Sequence, residues 1–140
     1  MQVREAMTET VRVADPDTLL PEIASIMRDE DIGAVPVVEN DKLIGMITDR
    51  DIVVRAVAEN RDLGVATARE VMSPGILYCF EDQRVEEVLE NMAGQQVRRL
   101  PVVNRDKRLV GVVSLGDLSQ AARKGKTGEA LKDISQPVHH

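Results

Sequence analysis

The chain has 140 residues, 43% of them hydrophobic and 30% charged, which is enough to build a globular domain with a core. Its formal net charge of −6 argues against the basic field that drives nucleic-acid binding. Because it contains one Tyr, one Phe and no Trp, the core must be aliphatic, and stacking of bases on aromatic side chains is disfavoured.

Cysteine usage and hydropathy indicate the compartment. Cys79 is the only cysteine, so no intrachain disulfide can form, and burial of a small thiol is its simplest role. No apolar run approaches the ~18 residues needed to cross a membrane, and the N-terminus lacks the apolar stretch of a signal peptide. We therefore expect a cytoplasmic protein without membrane or nucleic-acid partners. His139 and His140 end the chain and are given no function.

The sequence repeats itself. Arg4-Glu5-Ala6-Met7 recurs as Arg69-Glu70-Val71-Met72, and Pro36-Val37-Val38 recurs at the same offset as Pro101-Val102-Val103. The second copy has one extra residue, in a polar turn where insertions are tolerated. These matches predict a first repeat at 1–62, a second repeat at 63–124 and a C-terminal tail at 125–140.

In the first repeat, a short leading strand is expected at Val11–Val13. Leu20, Ile23, Ala24 and Met27 then form one apolar stripe of a helix, because their spacing is i, i+3, i+4, i+7. Asp17 or Thr18 can cap this helix, and Pro21 is tolerated in its opening turn. The remaining predicted elements are strands at Ala34–Val38 and Leu43–Thr48 and a helix from about Asp49 to Glu59.

The second repeat shows the same order. Its predicted elements are a strand at Ile76–Tyr78, a helix with its stripe at Val85, Val88, Leu89 and Met92, strands at Leu100–Val103 and Leu109–Ser114, and a helix from about Gly116 to Arg123. A further short helix is expected at Glu129–Ile134. Each repeat thus reads β-α-β-β-α, a mixed α/β (α+β) unit with an uncovered sheet face. We expect the two repeats to pack sheet to sheet with pseudo-twofold symmetry.

Chemistry is concentrated in one turn of each repeat. Thr48-Asp49-Arg50-Asp51 and Ser114-Leu115-Gly116-Asp117 each join a buried strand to a helix. In one interpretation they are helix caps, with the hydroxyl at the N-cap and the carboxylate at N3. In the other, the helix amides and hydroxyl bind a phosphate and the carboxylate binds a ribose diol.

These residues resemble the cystathionine-beta-synthase (CBS) family, paired as a Bateman module. The resemblance is carried by Ile32–Val38 with Leu43–Asp51 and by Val97–Val103 with Leu109–Asp117, and it covers about residues 1–122. The layout is similar to small stand-alone bacterial CBS-pair proteins, including the hypoxia-response type. The resemblance implies up to two adenosine ligands in the cleft between the repeats, and a homodimer that forms a flat disc.

Carried over to this sequence, the resemblance implies that backbone just before the family's proline meets adenine, that Asp binds ribose and that Thr or Ser approaches phosphate. The implied site residues are Ala34, Val35, Pro36, Thr48, Arg50 and Asp51 at the first turn, and Arg99, Leu100, Pro101, Ser114, Gly116 and Asp117 at the second. Small Ala34 leaves room for a ring, whereas Arg99 either fills that space or clamps a phosphate. Gly116 replaces Arg50 and removes one phosphate contact, so the sequence favours the first turn for a phosphorylated ligand.

Basic side chains near these turns also have structural interpretations. Arg50 and Arg55 can belong to a solvated helix face, and Arg98–Arg99 can form a salt bridge with Glu30 or Asp31. The methionines read as core filler rather than a metal or heme site.

Three functions were weighed. The first is a regulatory module that senses an adenine nucleotide such as AMP, ADP or ATP, requires no cofactor and signals through an unknown effector protein or its own dimer. The second is an interaction or structural protein with empty clefts. The third, an enzyme, is rejected, because the sequence contains no nucleophile–base set, P-loop or metal-ligand spacing.

Overall fold

The computed structural model describes residues 1–95 and 98–134, and it describes side chains as far as residue 125. Contacts between residues divide the chain into two units. The repeat-1 unit comprises Thr10–Leu77 with Asp106–Leu109, and the repeat-2 unit comprises Met1–Glu9, Tyr78–Arg105 and 110–134. The first nine residues thus belong with the body of the second repeat. The boundaries at 62 and 124 are boundaries of the sequence repeat and remain a prediction.

Helix α1 of the repeat-1 unit spans Leu20–Glu30, and Leu20, Ile23 and Met27 of the predicted apolar stripe are buried. Ala24, the fourth predicted member, is exposed, and Ile26 is buried instead. The predicted cap of α1 is wrong. Leu19 occupies the N-cap without a side-chain bond, and the Thr18 hydroxyl instead accepts from the Asp15 amide at 3.0 Å. Pro21 lies in the opening turn as expected, where a missing N–H costs nothing.

Strands β1 (Ala34–Glu39) and β2 (Lys42–Thr48) form an antiparallel hairpin. Its tip, Asn40-Asp41, has φ of 53° and 66°, as tight hairpin turns require. The leading strand predicted at Val11–Val13 is absent. One residue further on, Ala14 makes a single parallel bridge to Val37.

Helix α2 (Asp49–Ile52) starts directly from β2 and continues as a π-helical turn at Val53–Val57. The helix predicted from about Asp49 to Glu59 is therefore confirmed to within two residues, but its π-helical second half was not predicted. π-turns inside helices are rare and concentrate at functional sites. A short helix, α3, follows at Ala68–Val71.

The repeat-2 unit has a three-stranded sheet in the order β3-β4-β5, with β3 parallel to β4. Its elements are a short 3-10 helix at Val3–Glu5, β3 at Cys79–Phe80, α4 at Val85–Met92, β4 at Arg99–Val103, β5 at Leu109–Ser114 and α5 at Leu115–Ile134. The strand predicted at Ile76–Tyr78 is displaced to β3. Helix α5 runs well past the predicted end at Arg123 and absorbs the short helix predicted at Glu129–Ile134. Val97, His139 and His140 lie outside the described residues.

Each unit has its own aliphatic core, as the composition requires. The repeat-1 core is formed by residues such as Leu20, Ile23, Val35, Val37 and Ile47, and the repeat-2 core by Val3, Val85, Val88, Val102, Val113 and Leu118. Met27 and Met92 are buried in these cores, in keeping with their prediction as core filler. None of the helices described in the structure is long and apolar enough to cross a membrane.

Candidate ligand-binding turns

The first turn is a complete capping box. The Asp51 amide donates to Thr48 Oγ1 at 3.0 Å, and the Thr48 amide donates to Asp51 Oδ2, also at 3.0 Å. The two side chains therefore close the N-terminus of α2 on each other. The capping interpretation of this motif is confirmed, and it holds the hydroxyl and the carboxylate side by side in a fixed geometry.

The hairpin register places β1 beside this turn. Ala34 is the direct cross-strand partner of Thr48, and the Asp49 amide donates to the Gly33 carbonyl at 3.0 Å. Val35 and Pro36 follow in the strand with buried side chains, so only their backbone can face a ligand. The structure thus brings together Ala34, Val35, Thr48 and Asp51, which are distant in sequence.

Two arginines follow the first turn, and their environments differ. Arg55 Nε lies 3.9 Å from Asp51 Oδ1, while Arg55 Nη1 donates to the carbonyls of Val71 and Met72, both at 3.4 Å. Arg55 therefore links the π-helical turn to the end of α3. Arg50 is exposed and lies one residue before Asp51.

The second turn repeats the first in outline. The Asp117 amide donates to Ser114 Oγ at 3.0 Å, so Ser114 caps α5. The Leu115 amide donates to the Arg98 carbonyl at 2.7 Å, which ties this turn to the residue preceding β4. Asp117 is exposed, whereas the Asp51 side chain is only 14% exposed, so the two carboxylates differ in access to water.

An open cleft of about 600 Å³ lies at the second turn. It is lined by Arg98, Arg99, Ser114, Leu115, Gly116 and Ser119. Leu100 and Pro101, which follow Arg99 in β4, are buried, and the Cys79 thiol donates to the Pro101 carbonyl at 3.9 Å. Burial raises the pKa of Cys79 to about 12 and keeps the thiol neutral.

The cleft adds residues that the sequence motif did not include. Arg98, Leu115 and Ser119 line it beside the expected Arg99, Ser114 and Gly116. The sequence does not single out Ser119. It lines the cleft because it lies one helical turn after Leu115, on the same face of α5. Arg99 lines the cleft and is exposed, so it does not fill the space as a buried side chain would.

The acidic side chains around the turns have partners or positions of their own. Glu30, one of the two acids considered as a partner for Arg98–Arg99, instead pairs with Arg12 at 3.8 Å. Among the residues whose side chains are described, no three His, Cys, Asp or Glu side chains gather as metal ligands would.

A model of the CBS domain matches this chain twice, at residues 3–57 and 68–124. The chain is 40% identical to the CBS domain-containing protein YhcV of Bacillus subtilis over 139 residues, covering 98% of each. It is 35% identical to hypoxic response protein 1 of Mycobacterium tuberculosis, covering 96% of this chain and 94% of the relative. Neither relative has room for a separate catalytic domain.

Solved structures agree with this fold. A crystal structure of Hypoxic Response Protein I with two coordinated zinc ions is 37% identical, with a TM-score of 0.76 over 86% of this chain and 98% of that one. The CBS domain pair of protein MJ0100, in complex with 5′-methylthioadenosine and S-adenosyl-L-methionine, is 28% identical. Its TM-score is 0.73, over 89% of this chain and 98% of that one.

Proposed function

Since the chain belongs to the CBS-domain family as a tandem pair with a mixed α/β fold, we propose that it is a regulatory module that binds an adenosine-containing ligand at its Thr48–Asp51 and Ser114–Asp117 turns. The observation that carries this proposal is the duplicated turn, in which a Thr or Ser hydroxyl accepts from the amide of an Asp three residues later, at the start of a helix. A ribose diol can donate to the carboxylate, and a phosphate can accept from the hydroxyl and the helix amides.

The role proposed for each residue follows from which of its atoms a ligand can reach. At the first turn, Asp51 would bind the ribose, Thr48 would approach the phosphate, and the backbone at Ala34 and Val35 would meet the base. At the second turn, Asp117, Ser114 and the backbone at Arg99 and Leu100 would do the same. Because each carboxylate oxygen has two lone pairs, the cap bond between Asp51 and Thr48 leaves acceptor capacity for a ribose hydroxyl.

A relative supports the ligand class. The MJ0100 pair binds 5′-methylthioadenosine and S-adenosyl-L-methionine, which share an adenosine group, and its fold matches 89% of this chain. We therefore place adenosyl compounds beside AMP, ADP and ATP as candidate ligands. The proposed output is non-catalytic and passes through a partner protein or the assembly of the chain itself.

We also propose a homodimer. Val53, Val54 and Val57 of the π-helical turn are 57%, 44% and 56% exposed, which is unusual for three neighbouring valines. A second copy of the chain would cover them. Val57→Glu should then convert the protein to monomers in sedimentation analysis, while Val65→Glu, a change at another exposed valine, should leave its mass unchanged. A wild-type monomer at all concentrations would contradict the dimer.

Ligand binding is tested by thermal unfolding in the presence of adenosine, 5′-methylthioadenosine, AMP, ADP, ATP, S-adenosyl-L-methionine and cyclic dinucleotides, with GMP as the base control. A ligand at about 100 times its Kd should stabilise the fold by roughly 2.7 kcal/mol. Asp51→Asn with Asp117→Asn should abolish the shift. Asp49→Asn, an acid in the same helical turn as Asp51, is the matched control and should retain it.

Mass spectrometry of small molecules released from freshly purified protein complements this panel, since it requires no guess of the ligand. If no adenosine compound shifts the melting temperature or is released, the chain is a structural or interaction pair with empty clefts. A shift that persists in the double Asp variant would place the ligand elsewhere.

A further inference from the structure

We propose that the cleft at the second turn selects an anionic ligand group, such as a phosphate, through Arg98 and Arg99. This inference rests on the proposed function, because it assigns a charge preference to one of the two adenosine sites. It also reverses the ranking that sequence alone favours, in which the first turn is the better site for a phosphorylated ligand.

The composition of the cleft carries the inference. Two guanidinium groups, two hydroxyl groups, one leucine and one glycine line a space of about 600 Å³, and none of the described residues that line it carries a carboxylate. Pockets for small molecules commonly fall between roughly 300 and 1,000 Å³. Arginine presents a planar fork of donors that matches phosphate oxygens, so two arginines lining one cleft favour an anion.

Among the side chains that the structure describes, neither arginine has a counter-ion. In the part of the chain whose side chains are described, Arg98 and Arg99 are exposed and form no ion pair, whereas Arg105 pairs with Asp82 at 2.7 Å. Two adjacent cations without a partner repel each other, and that repulsion is relieved when an anion binds between them. The charge of the cleft is therefore available to a ligand.

The hydroxyls and the glycine complete the surface. Ser114 Oγ accepts from the Asp117 amide, which leaves its O–H free to donate to a phosphate oxygen. A Cβ added to Gly116 would have only Ser114 Oγ within 4 Å, at 3.8 Å, so the approach to this hydroxyl is open. The first turn has Arg50 at this position.

The first turn lacks the same arrangement. Ala34 stands where the second repeat has Arg99, and Arg55 is held between the Asp51 carboxylate and two backbone carbonyls. Only Arg50 remains exposed there without an ion pair among the described side chains. We therefore expect the first turn to distinguish charged from uncharged adenosyl ligands less sharply.

The experiment isolates each turn in the full-length chain. Asp51→Asn disables the first turn and leaves the second intact, whereas Asp117→Asn disables the second and leaves the first intact. Calorimetry then compares the affinity of each variant for AMP with its affinity for uncharged 5′-methylthioadenosine. With only the second turn intact, AMP should bind about tenfold or more tightly than 5′-methylthioadenosine, as one or two charge-assisted contacts provide. Adding Arg98→Gln and Arg99→Gln should remove that preference, so that AMP binds no more tightly than 5′-methylthioadenosine. Arg50→Gln, the matched control at the other turn, should preserve it.

Two results would overturn the inference: an AMP preference that survives Arg98→Gln with Arg99→Gln, or an equal preference at both turns. Pyrophosphate, tested alone by calorimetry, separates this inference from the proposed function. If no adenosine compound binds but pyrophosphate binds in an arginine-dependent way, the proposed function fails and the anion site stands. If pyrophosphate and every adenosine compound fail to bind, both proposals fall. Circular dichroism verifies that each variant is folded.

Discussion

The sulfur of Met72 packs on Gly45 so closely that a Cβ added to this glycine would lie 2.8 Å from it. In the other unit Met7 packs on Gly111 in the same way, with its sulfur 2.9 Å from an added Cβ. These methionines end the duplicated motif that begins at Arg4 and Arg69. Each repeat therefore contributes a leading segment that lies against a glycine of the second hairpin strand, β2 or β5.

Replacement of either glycine by alanine should destabilise the fold, because neither strand can move away from the segment hydrogen-bonded to it. A Cβ added to Gly111 would lie 2.7 Å from the Thr8 carbonyl oxygen. A Cβ added to Gly45 would lie 3.1 Å from the Ser73 carbonyl oxygen. We expect Gly111→Ala to cost the most, within about 1–3 kcal/mol, as overpacking does. Urea denaturation measures this cost.

Gly75 provides the matched control for these glycines. It has no atom within 4 Å of an added Cβ, so Gly75→Ala should change the free energy of unfolding by no more than about 0.5 kcal/mol. If Gly111→Ala is as mild as Gly75→Ala, the close packing of Met7 is not a constraint on the fold.

The capping role of Thr48 can be separated from ligand binding. Thr48→Ala removes the acceptor for the Asp51 amide and should cost about 1 kcal/mol of stability in ligand-free protein. Thr48→Ser retains the hydroxyl and should be near neutral. Chemical denaturation of both variants measures the difference, and equal stability of Ala and Ser variants would show that the cap bond contributes nothing.

Asp82 should titrate at an unusually low pH. The hydrogen bonds from Arg105 lower its pKa, and Arg105 also lies 4.0 Å from the centre of the Phe80 ring. Because the folded pKa is depressed, the stabilisation is present above the ordinary pKa of the carboxyl and is lost as pH falls through the lowered value. NMR titration of the Asp82 carboxyl carbon measures this.

Arg105→Gln should return the pKa of Asp82 towards its ordinary value. Arg4, whose charge is the smallest of the causes that lower this pKa, is the matched control. Arg4→Gln should therefore raise the pKa only slightly. If both variants titrate alike, the paired geometry of Arg105 and Asp82 is not the cause of the shift.

Cys79 should resist alkylation in the folded protein. It is 2% exposed, and burial raises its pKa to about 12, so almost no thiolate is present at pH 8. Iodoacetamide should label it slowly in buffer and rapidly in denaturing urea, as followed by intact mass. Rapid labelling in buffer at pH 8 would show that β3 opens frequently.

Sequence alone determined the elements whose signals are local. The apolar stripes predicted α1 and α4, and the β-rich runs predicted the four hairpin strands within about one residue, because burial of one face imposes a period. The Thr48–Asp51 box was also predictable, since capping needs only residues three apart. The repeat then identified the family.

Tertiary structure decided what depends on distant partners. Sequence cannot show that Met1–Glu9 belongs with the second repeat, because its backbone partners, such as Gln83 and Val112, lie far along the chain. The π-helical turn at Val53–Val57 has no sequence signal either. It contains Arg55, whose guanidinium donates to the carbonyls of Val71 and Met72. The same holds for the cleft: two arginines and two serines line one surface only because the Leu115 amide donates to the Arg98 carbonyl, which brings the start of α5 to the start of β4.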